Sequence, residues 1–420
     1  MKKLLIILGS VGLVATTSAA VIACGDKTSQ KTPDKKEEVK PTEEKKEEKE
    51  KTKPSEAPKK EEKEEDKNNE EKQKNEPKPI NTENDKKNSE VIKAIVKKQE
   101  DAFATFHTHK DFLNQIKVFA KEEGIENLEL ANGDEDTIFV EGNNNPKNKV
   151  KLRLGTYEFD VHLGSVLKDR VATKYYIENN EKKIITVPDD KFPELNNEEQ
   201  NVVITQIGYS LKKRYLDHDF GKTIQIYKMP KNTKKVPKHL PLKIKSLENA
   251  FQNFKFEKVL NLDNWNVSNV INMESMFYEA KKFNQNISKW NTKNVKIMTS
   301  LFIGAENFNQ PLNSWNVSNV RQMSEMFRDA FNFNQDLNDW DVSNVIDMES
   351  MFQYAKSFNG KIDKWNVEKV EKLGEMFSHA TKFSQDLSKW KIKNNVAKKA
   401  SNIFDHTYKF KNKVLEAWKK

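Results

Sequence analysis

The sequence predicts an α+β protein in three parts: an N-terminal disordered stalk, a small α+β domain and a C-terminal α/β solenoid of short repeats. Three observations carry this reading. Residues 26 to 90 hold 19 Lys and 21 Asp or Glu and no aromatic residue. From Val91 the apolar residues recur first at helical spacing and then at a period of two. Trp265, Trp290, Trp315, Trp340, Trp365 and Trp390 stand 25 residues apart without an insertion.

The stalk follows from composition. Only Val39, Ala57 and Ile80 are aliphatic between residues 26 and 90, so the segment has nothing to bury and stays solvated. Pro41, Pro54, Pro58, Pro77 and Pro79 interrupt any long helix that the Glu/Lys spacings would support. A flexible coil of this length spans about 45 Å, at roughly 5–6 Å times the square root of its length. Ahead of it, Lys2 and Lys3 precede the apolar run Leu4 to Val14, small residues reach Ala23, and Cys24 is the sole cysteine of the 420 residues. Residues 1–23 read as a secretory signal, with a retained membrane-spanning helix as the alternative. Either reading places the chain beyond Cys24 outside the cell and tethered to the membrane. One cysteine also excludes an internal disulfide and a multi-thiolate metal site.

Residues 89–235 read as the small α+β domain. Val91, Ile92, Ile95, Val96, Phe103, Phe106, Phe112, Ile116 and Phe119 predict a long amphipathic helix or a helix pair. Ile138/Val140, Val150/Leu152/Leu154, Tyr157/Phe159/Val161/Leu163 and Ile184/Ile185/Val187 predict an antiparallel meander. A helix near Glu198 to Leu211 and a strand from Thr223 to Tyr227 complete the expectation. Little chemistry is visible. His107 and His109 fall on different faces of a helix. Asn132, Asp134 and Asp136 begin like a calcium loop, but Thr137 and Asn143 occupy the places that need Gly and Glu, so a turn is expected. Gly221-Lys222-Thr223 lacks the first glycine of a phosphate loop, Leu216 standing there. No catalytic motif, metal site or cofactor is expected.

Residues 236–420 form the repeat region with its caps. In one unit Val320, Met323, Phe327 and Ala330 step by three, four and three, which predicts one face of a helix of about three turns. Leu312, Trp315 and Val317 predict an inward-facing strand. Burial within a single unit falls short of the entropy of ordering 25 residues, so stacking of units must supply the difference. Ile244, Leu247, Ala250 and Phe251 form a divergent first unit, offset by 26 from the next. At the far end Ile403, Phe404 and Phe410, then Val414, Leu415 and Trp418 on a short helix, close the last unit. The six tryptophans are read as repeat core. The Asn309/Gln310 and Asn334/Gln335 pairs are read as satisfying backbone groups at corners. A solvent-facing aromatic row that stacks on sugars or bases is the competing reading. Positions that vary between units are the better binding candidates: Asn313/Ser314, Asn338/Asp339, Asp363/Lys364 and Ser388/Lys389.

Three resemblances are carried by these residues. Val21-Ile22-Ala23-Cys24 resembles the lipobox of bacterial lipoproteins, which implies a diacylglycerol on Cys24 as the mature N-terminus. Leu312-x-x-Trp315-x-Val317 resembles the strand portion of leucine-rich repeats, with Val320 at the position of the ladder asparagine of the common type. The whole unit, with Trp-Asn-Val-Ser-Asn-Val, Met-Phe and Phe-Asn-Gln, is similar to the BspA-like repeats of mycoplasma surface lipoproteins. The resemblance implies a non-enzymatic, lipid-anchored cell-surface protein, palmitate-bearing at Cys24. It implies adhesion to, or binding of, an extracellular protein or glycan through an extended surface. The alternative keeps a ligand-binding or hydrolytic role for residues 89–235. The net charge of +9 is spread through the folded part, so no nucleic-acid partner is expected.

Overall fold

The computed structural model describes residues 82–167, 169–189, 191–192, 200–213, 222–399, 402–406 and 411–419. The expected signal, Cys24, the stalk up to residue 81, Leu216, Gly221 and Phe410 lie outside them. The described residues are a mixture of small helices and sheets with no closed barrel.

Helix α1 (Thr82–Lys98) begins inside the segment expected as stalk, and so corrects its boundary at residue 88. Ser89, Ile92 and Val96 form its buried stripe, and Glu83 and Asp85 in the first turn complement the helix dipole, which lets the polar start extend a helix nucleated further on. Helices α2 (Glu100–Phe103) and α3 (His109–Glu122) come next, and the Thr108 hydroxyl caps α3 by accepting from Asp111 N at 3.1 Å. They cover an antiparallel sheet of β1 (Leu128–Leu130), β3 (Lys149–Leu154) and β4 (Tyr157–His162). Val150, Leu152 and Leu154 face the helices while Lys149 and Lys151 face solvent, as period-two patterning requires. The two-residue strands β2 (Gly142–Asn143) and β5 (Ser165–Val166) pair beside them.

The expected single meander is instead spread over several sheets. Strands β6 (Arg170–Val171), β10 (Tyr209–Lys213) and β11 (Lys222–Ile226) form one, in the order β11-β10-β6. Strands β7 (Thr173–Ile177), β8 (Ile185–Val187), β9 (Val202–Gln206) and β12 (Thr233–Lys235) form another, in the order β12-β9-β7-β8. The helix expected over Glu198–Leu211 is therefore wrong. Val202-Val203-Ile204 is a β-branched run suited to an interior strand, and the bend after it needs Gly208, where a Cβ would stand 2.2 Å from Thr173 Oγ1 and 2.6 Å from Thr173 N.

The apolar core divides the chain elsewhere than at residue 235. Residues from Ile92 to Val166 make one cluster, whereas Val171 to Trp418 make another that runs without a break from the second pair of sheets through the repeats. The join is visible in the backbone. Gln225 of β11 pairs in parallel with Ser246, Ser246 with Asn272, and the chain of single bridges continues through Ile297, Gln322, Asp347 and Lys372. The first repeat unit is thus laid on a sheet edge.

Within the repeats neither the expected helix nor the expected strand forms. Two residues per unit, such as Glu325 at φ 57° and Asp329 at φ 57°, adopt left-handed backbone, and equivalents occur at Ser275/Glu279, Ser300/Gly304, Ser350/Tyr354 and Glu375/His379. That conformation excludes an α-helix. The amides of Met326, Arg328 and Ala330 close tight turns onto Met323, Glu325 and Phe327 carbonyls. The amides of Met323, Glu325, Phe327 and Asp329 leave the unit and bond Asp347, Glu349, Met351 and Gln353 carbonyls of the next one, at 2.8 to 2.9 Å. The three-four-three apolar spacing is the imprint of a turn ladder that happens to share helical periodicity. Leu312, Trp315 and Val317 also lie on successive turns, closed by Trp315 N to Leu312 O at 3.0 Å and Val320 N to Val317 O at 2.9 Å.

Side chains stack where backbones do. Phe251, Phe277, Phe302, Phe327, Phe352, Phe377 and Phe404 form one file with ring centroids 5.5 to 5.8 Å apart. Phe283, Phe308, Phe333, Phe358 and Phe383 form a second, at 5.8 to 6.1 Å, and within each unit the two files touch at 3.9 to 4.1 Å. These are offset stacks of the kind aromatic quadrupoles favour. Trp265, Trp290, Trp315, Trp340, Trp365 and Trp390 are 2 to 4% exposed, which removes the solvent-facing row. Replacing Trp315 by Ala is expected to cost about 3–5 kcal/mol, measured by urea unfolding. A near-neutral change would contradict its placement.

Candidate binding surface

The tryptophan nitrogens show how the polar part of each unit is used. Trp315 Nε1 donates to Ile287 O at 3.1 Å, Trp340 to Leu312 O at 2.8 Å, Trp365 to Leu337 O at 2.8 Å and Trp390 to Ile362 O at 3.2 Å, each reaching back 28 residues. Trp265 does the same with Pro237 O at 3.0 Å. Trp290 departs from the series: its nitrogen is buried without a partner, and Leu262, whose carbonyl would correspond, starts a 3-10 turn at Leu262–Asn264.

Asn284, Asn309, Asn334 and Asn359 form a column in which each Oδ1 accepts from the backbone amide 25 residues later, at 2.8 to 3.0 Å. Gln310, Gln335 and Gln385 add side-chain bonds to the same column. Asn269, Asn294, Asn319 and Asn344 each donate to a carbonyl 26 or 27 residues earlier, and Asn266, Asn316 and Asn366 accept from the amide two residues on to fix the preceding turn. On this side of the unit, side-chain amides replace the backbone pairing that a strand would supply. The Asn-Gln motifs therefore serve the backbone, as the sequence suggests, and the asparagines of the Ser-Asn pairs do the same.

The eight variable positions are brought into one row on the turn between the leucine position and the tryptophan. Asn313, Asn338 and Ser388 are half-buried, while Ser314, Asp339, Asp363, Lys364 and Lys389 are exposed. Part of the row is used for cohesion. Asn313 donates to Asp339, Asp339 N donates to Asn313 Oδ1 at 3.1 Å, Asn338 donates to Asp363 at 3.0 Å and Lys364 N to Asn338 Oδ1 at 3.1 Å. Ser314 Oγ donates to Ser288 O at 2.9 Å. Lys364 and Lys389 supply the positive charge of the row's exposed part.

In the first core, His107 is exposed and bonded to Asp169 at 3.0 Å, whereas His109 is buried and its imidazole is pushed below its ordinary value by desolvation. The Asn132-to-Asp136 stretch closes as turns, with Glu135 N to Gly133 O at 2.8 Å and Thr137 N to Asp134 O at 3.2 Å. Sequence reasoning misses the ion pair of Lys243 with Asp169, both largely buried, with Lys243 also over the Phe106 ring. The two residues are 74 apart and no spacing signals them. Tyr209, fully buried, shares a hydrogen bond with Thr105, and burial drives its phenol far above the ordinary range.

Residues 245–359 and 335–420 match a family described as Mycoplasma protein of unknown function, DUF285. The repeats are similar to a mycoplasma family. No curated protein and no solved structure matches the chain. Among the described residues no helix is long and apolar enough to cross a membrane.

The end of the row is tied by charge. Lys413 of the terminal helix α4 (Lys411–Trp418) donates to Asp386 at 2.5 Å, and this bond with those from Ser388 holds the Asp386 carboxyl down at about 2. Lowered below its unfolded value of 3.8, this carboxylate contributes stability that is present above about pH 4 and lost as the pH falls toward 2. Hydrogen exchange over residues 411–419 is expected to accelerate across that window, and Asp386→Asn to remove the pH dependence.

Proposed function

We propose that this is a lipid-anchored protein of the mycoplasma cell surface that presents a leucine-rich-repeat-like, BspA-type solenoid for adhesion to an extracellular protein or glycan. The reading of a solenoid is supported by the unbroken chain of parallel bridges from Gln225 to Lys372, with the qualification that each unit is built of turns instead of a strand and a helix. The family match over residues 245–420 supports a mycoplasma-type surface protein, and the signal-like run ending at Cys24 supports the anchor. Two acyl chains hold a protein at a bilayer stably where one is marginal, because each buried CH₂ contributes about 0.8 kcal/mol.

The observation that carries the binding role is the division of labour within the unit. Recurring Trp, Phe, Met, Asn and Gln residues are taken up by core and backbone, while the exposed row that includes Asp339, Asp363, Lys364 and Lys389 changes from unit to unit. Repetition serves packing, and variation leaves room for recognition. The row is extended and carries both signs of charge, which fits an elongated partner better than a small molecule.

Two measurements test this. Cys24→Ser is expected to move the protein from the detergent-soluble membrane fraction to the medium, and unchanged membrane retention would argue for an uncleaved helix. The double variant Lys364→Glu, Lys389→Glu in the full chain is expected to weaken attachment to host cells or matrix at least fivefold with the urea midpoint unchanged. Undiminished attachment would reject the row as the contact surface.

A further inference from the structure

Lys243 and Asp169 meet where the two apolar cores adjoin. Asp169 stands between Val166, the last residue of the first core, and Val171, the first of the second, and Lys243 directly precedes Ile244 of the first repeat unit. Both backbones are held. Leu211 N donates to Asp169 O at 2.9 Å, and on either side of Lys243 the amides of Ile244 and Lys245 donate to Pro241 O at 3.0 Å and Ile224 O at 2.9 Å. Asp169 also lies at φ 32°, which a residue with a Cβ adopts at a cost, and such strain gathers at functional sites.

The pair is not built like a salt bridge kept for stability. Its side chains are 11% and 12% exposed, Lys243 Nζ touches Asp169 Oδ1, and both atoms are shut off from solvent without a well-formed hydrogen bond among the described residues. An ammonium carries three N–H donors, and a buried ion pair repays its desolvation only when the remaining protons and lone pairs are answered. What Lys243 meets instead is the Phe106 ring, its centroid 5.8 Å away. Burial pushes the Lys243 amine below its ordinary value, against the pull of Asp169 and Asp111, and so favours the neutral, nucleophilic form. The far carboxylate oxygen, Oδ2, accepts from His107 Nε2 at 3.0 Å. An amide in place of the two charges leaves one N–H to be satisfied and no buried ion. Beside the contact lies a cleft of about 390 Å³ lined by His107, Asp111, Asp169 and Lys243, which gives a departing water a way out.

We propose that Lys243 and Asp169 join in an intramolecular isopeptide bond. A proton passes from the Lys243 ammonium to Asp169 Oδ1, the freed amine attacks Cγ, and His107 holds the charge that develops on Oδ2. Oδ1 then takes a second proton from Nζ and leaves as water, while Oδ2 remains as the amide carbonyl oxygen bonded by His107. One C–N bond forms, one C–O bond breaks, and no oxidant, cofactor or net proton is needed. The link closes residues 169–243 into a ring and fastens the first repeat unit to the segment between the two cores. Such a ring restricts the unfolded chain as a disulfide does, in a sequence whose single cysteine cannot supply one. This assignment is independent of the binding row on the repeats.

Tryptic mapping of the denatured full chain tests it. Trypsin does not cleave after an acylated lysine, so the expected product is residues 239–245 joined to residues 169–170, one water lighter than the two peptides together. Lys243→Arg keeps the positive charge, removes the amine and is expected to abolish this product. His107→Ala is expected to slow its appearance after synthesis at least tenfold. The wild-type map is sufficient by itself should a variant fail to fold: ordinary cleavage after Lys243, with residues 169–170 released free, overturns the assignment. An equal loss of one water at Asp169 in Lys243→Arg overturns it as well.

Discussion

The repeat region depends on where its backbone hydrogen bonds go. A unit of 25 residues without helix or strand cannot satisfy its own amides, and every second amide from Met323 to Asp329 is answered only by the following unit. Buried unpaired amides are costly, so the units are stable together and not apart. The left-handed residues that aim those amides outward, among them Glu325 and Asp329, cost about 1–2 kcal/mol each in isolation. They persist because both flanking units hold them.

The same constraint explains the ends. At the start, Ser246 takes its pairing from Gln225 of β11, so the sheet supplies what a preceding unit would. At the finish, Phe404 stacks on Phe377 and Trp418 on Trp390 at 6.2 Å, and Trp418 Nε1 donates to Leu387 O at 3.0 Å. The turn segment 402–406 thereby answers the last ladder amides, Phe377 N to Ile403 O and His379 N to Asp405 O both at 2.9 Å, while the terminal helix supplies only the tryptophan of one more unit. A ladder that must be answered on both sides needs such substitutes, and the shared core from Val171 to Trp418 is a consequence of the first of them.

What was legible in the sequence was periodicity and its consequence for burial. The six tryptophans could be assigned to the interior because identical residues at identical intervals pack against copies of themselves. The Asn and Gln roles followed from the same sameness. The helix from Val320 to Ala330 was misread because spacing records which residues face inward and not the sign of φ at Glu325 and Asp329, and neither residue type announces left-handed backbone. The helix near residue 200 failed for a related reason: Val202-Val203-Ile204 is apolar on every residue, and only the position of β9 between two other strands decides its state. The stalk boundary slipped because Thr82 to Asn88 is polar throughout and is helical only as an extension of the apolar turns from Val91 to Val96. Lys243 with Asp169 depends on a fold of the chain that joins distant residues, and no local pattern carries it.

The central claim is that neighbouring units, not the unit itself, supply the stability of the repeats. Removing residues 316–340 deletes one full period and leaves every remaining unit with an equivalent neighbour. Urea unfolding of that deletion, beside one lacking residues 316–328, measures the claim most directly. The full-period deletion should unfold in a single cooperative transition with a smaller denaturant slope, in keeping with less surface exposed, and the half-period deletion should lose cooperative folding from the cut onward. Equal behaviour of the two, or loss of folding in the full-period deletion, would contradict it.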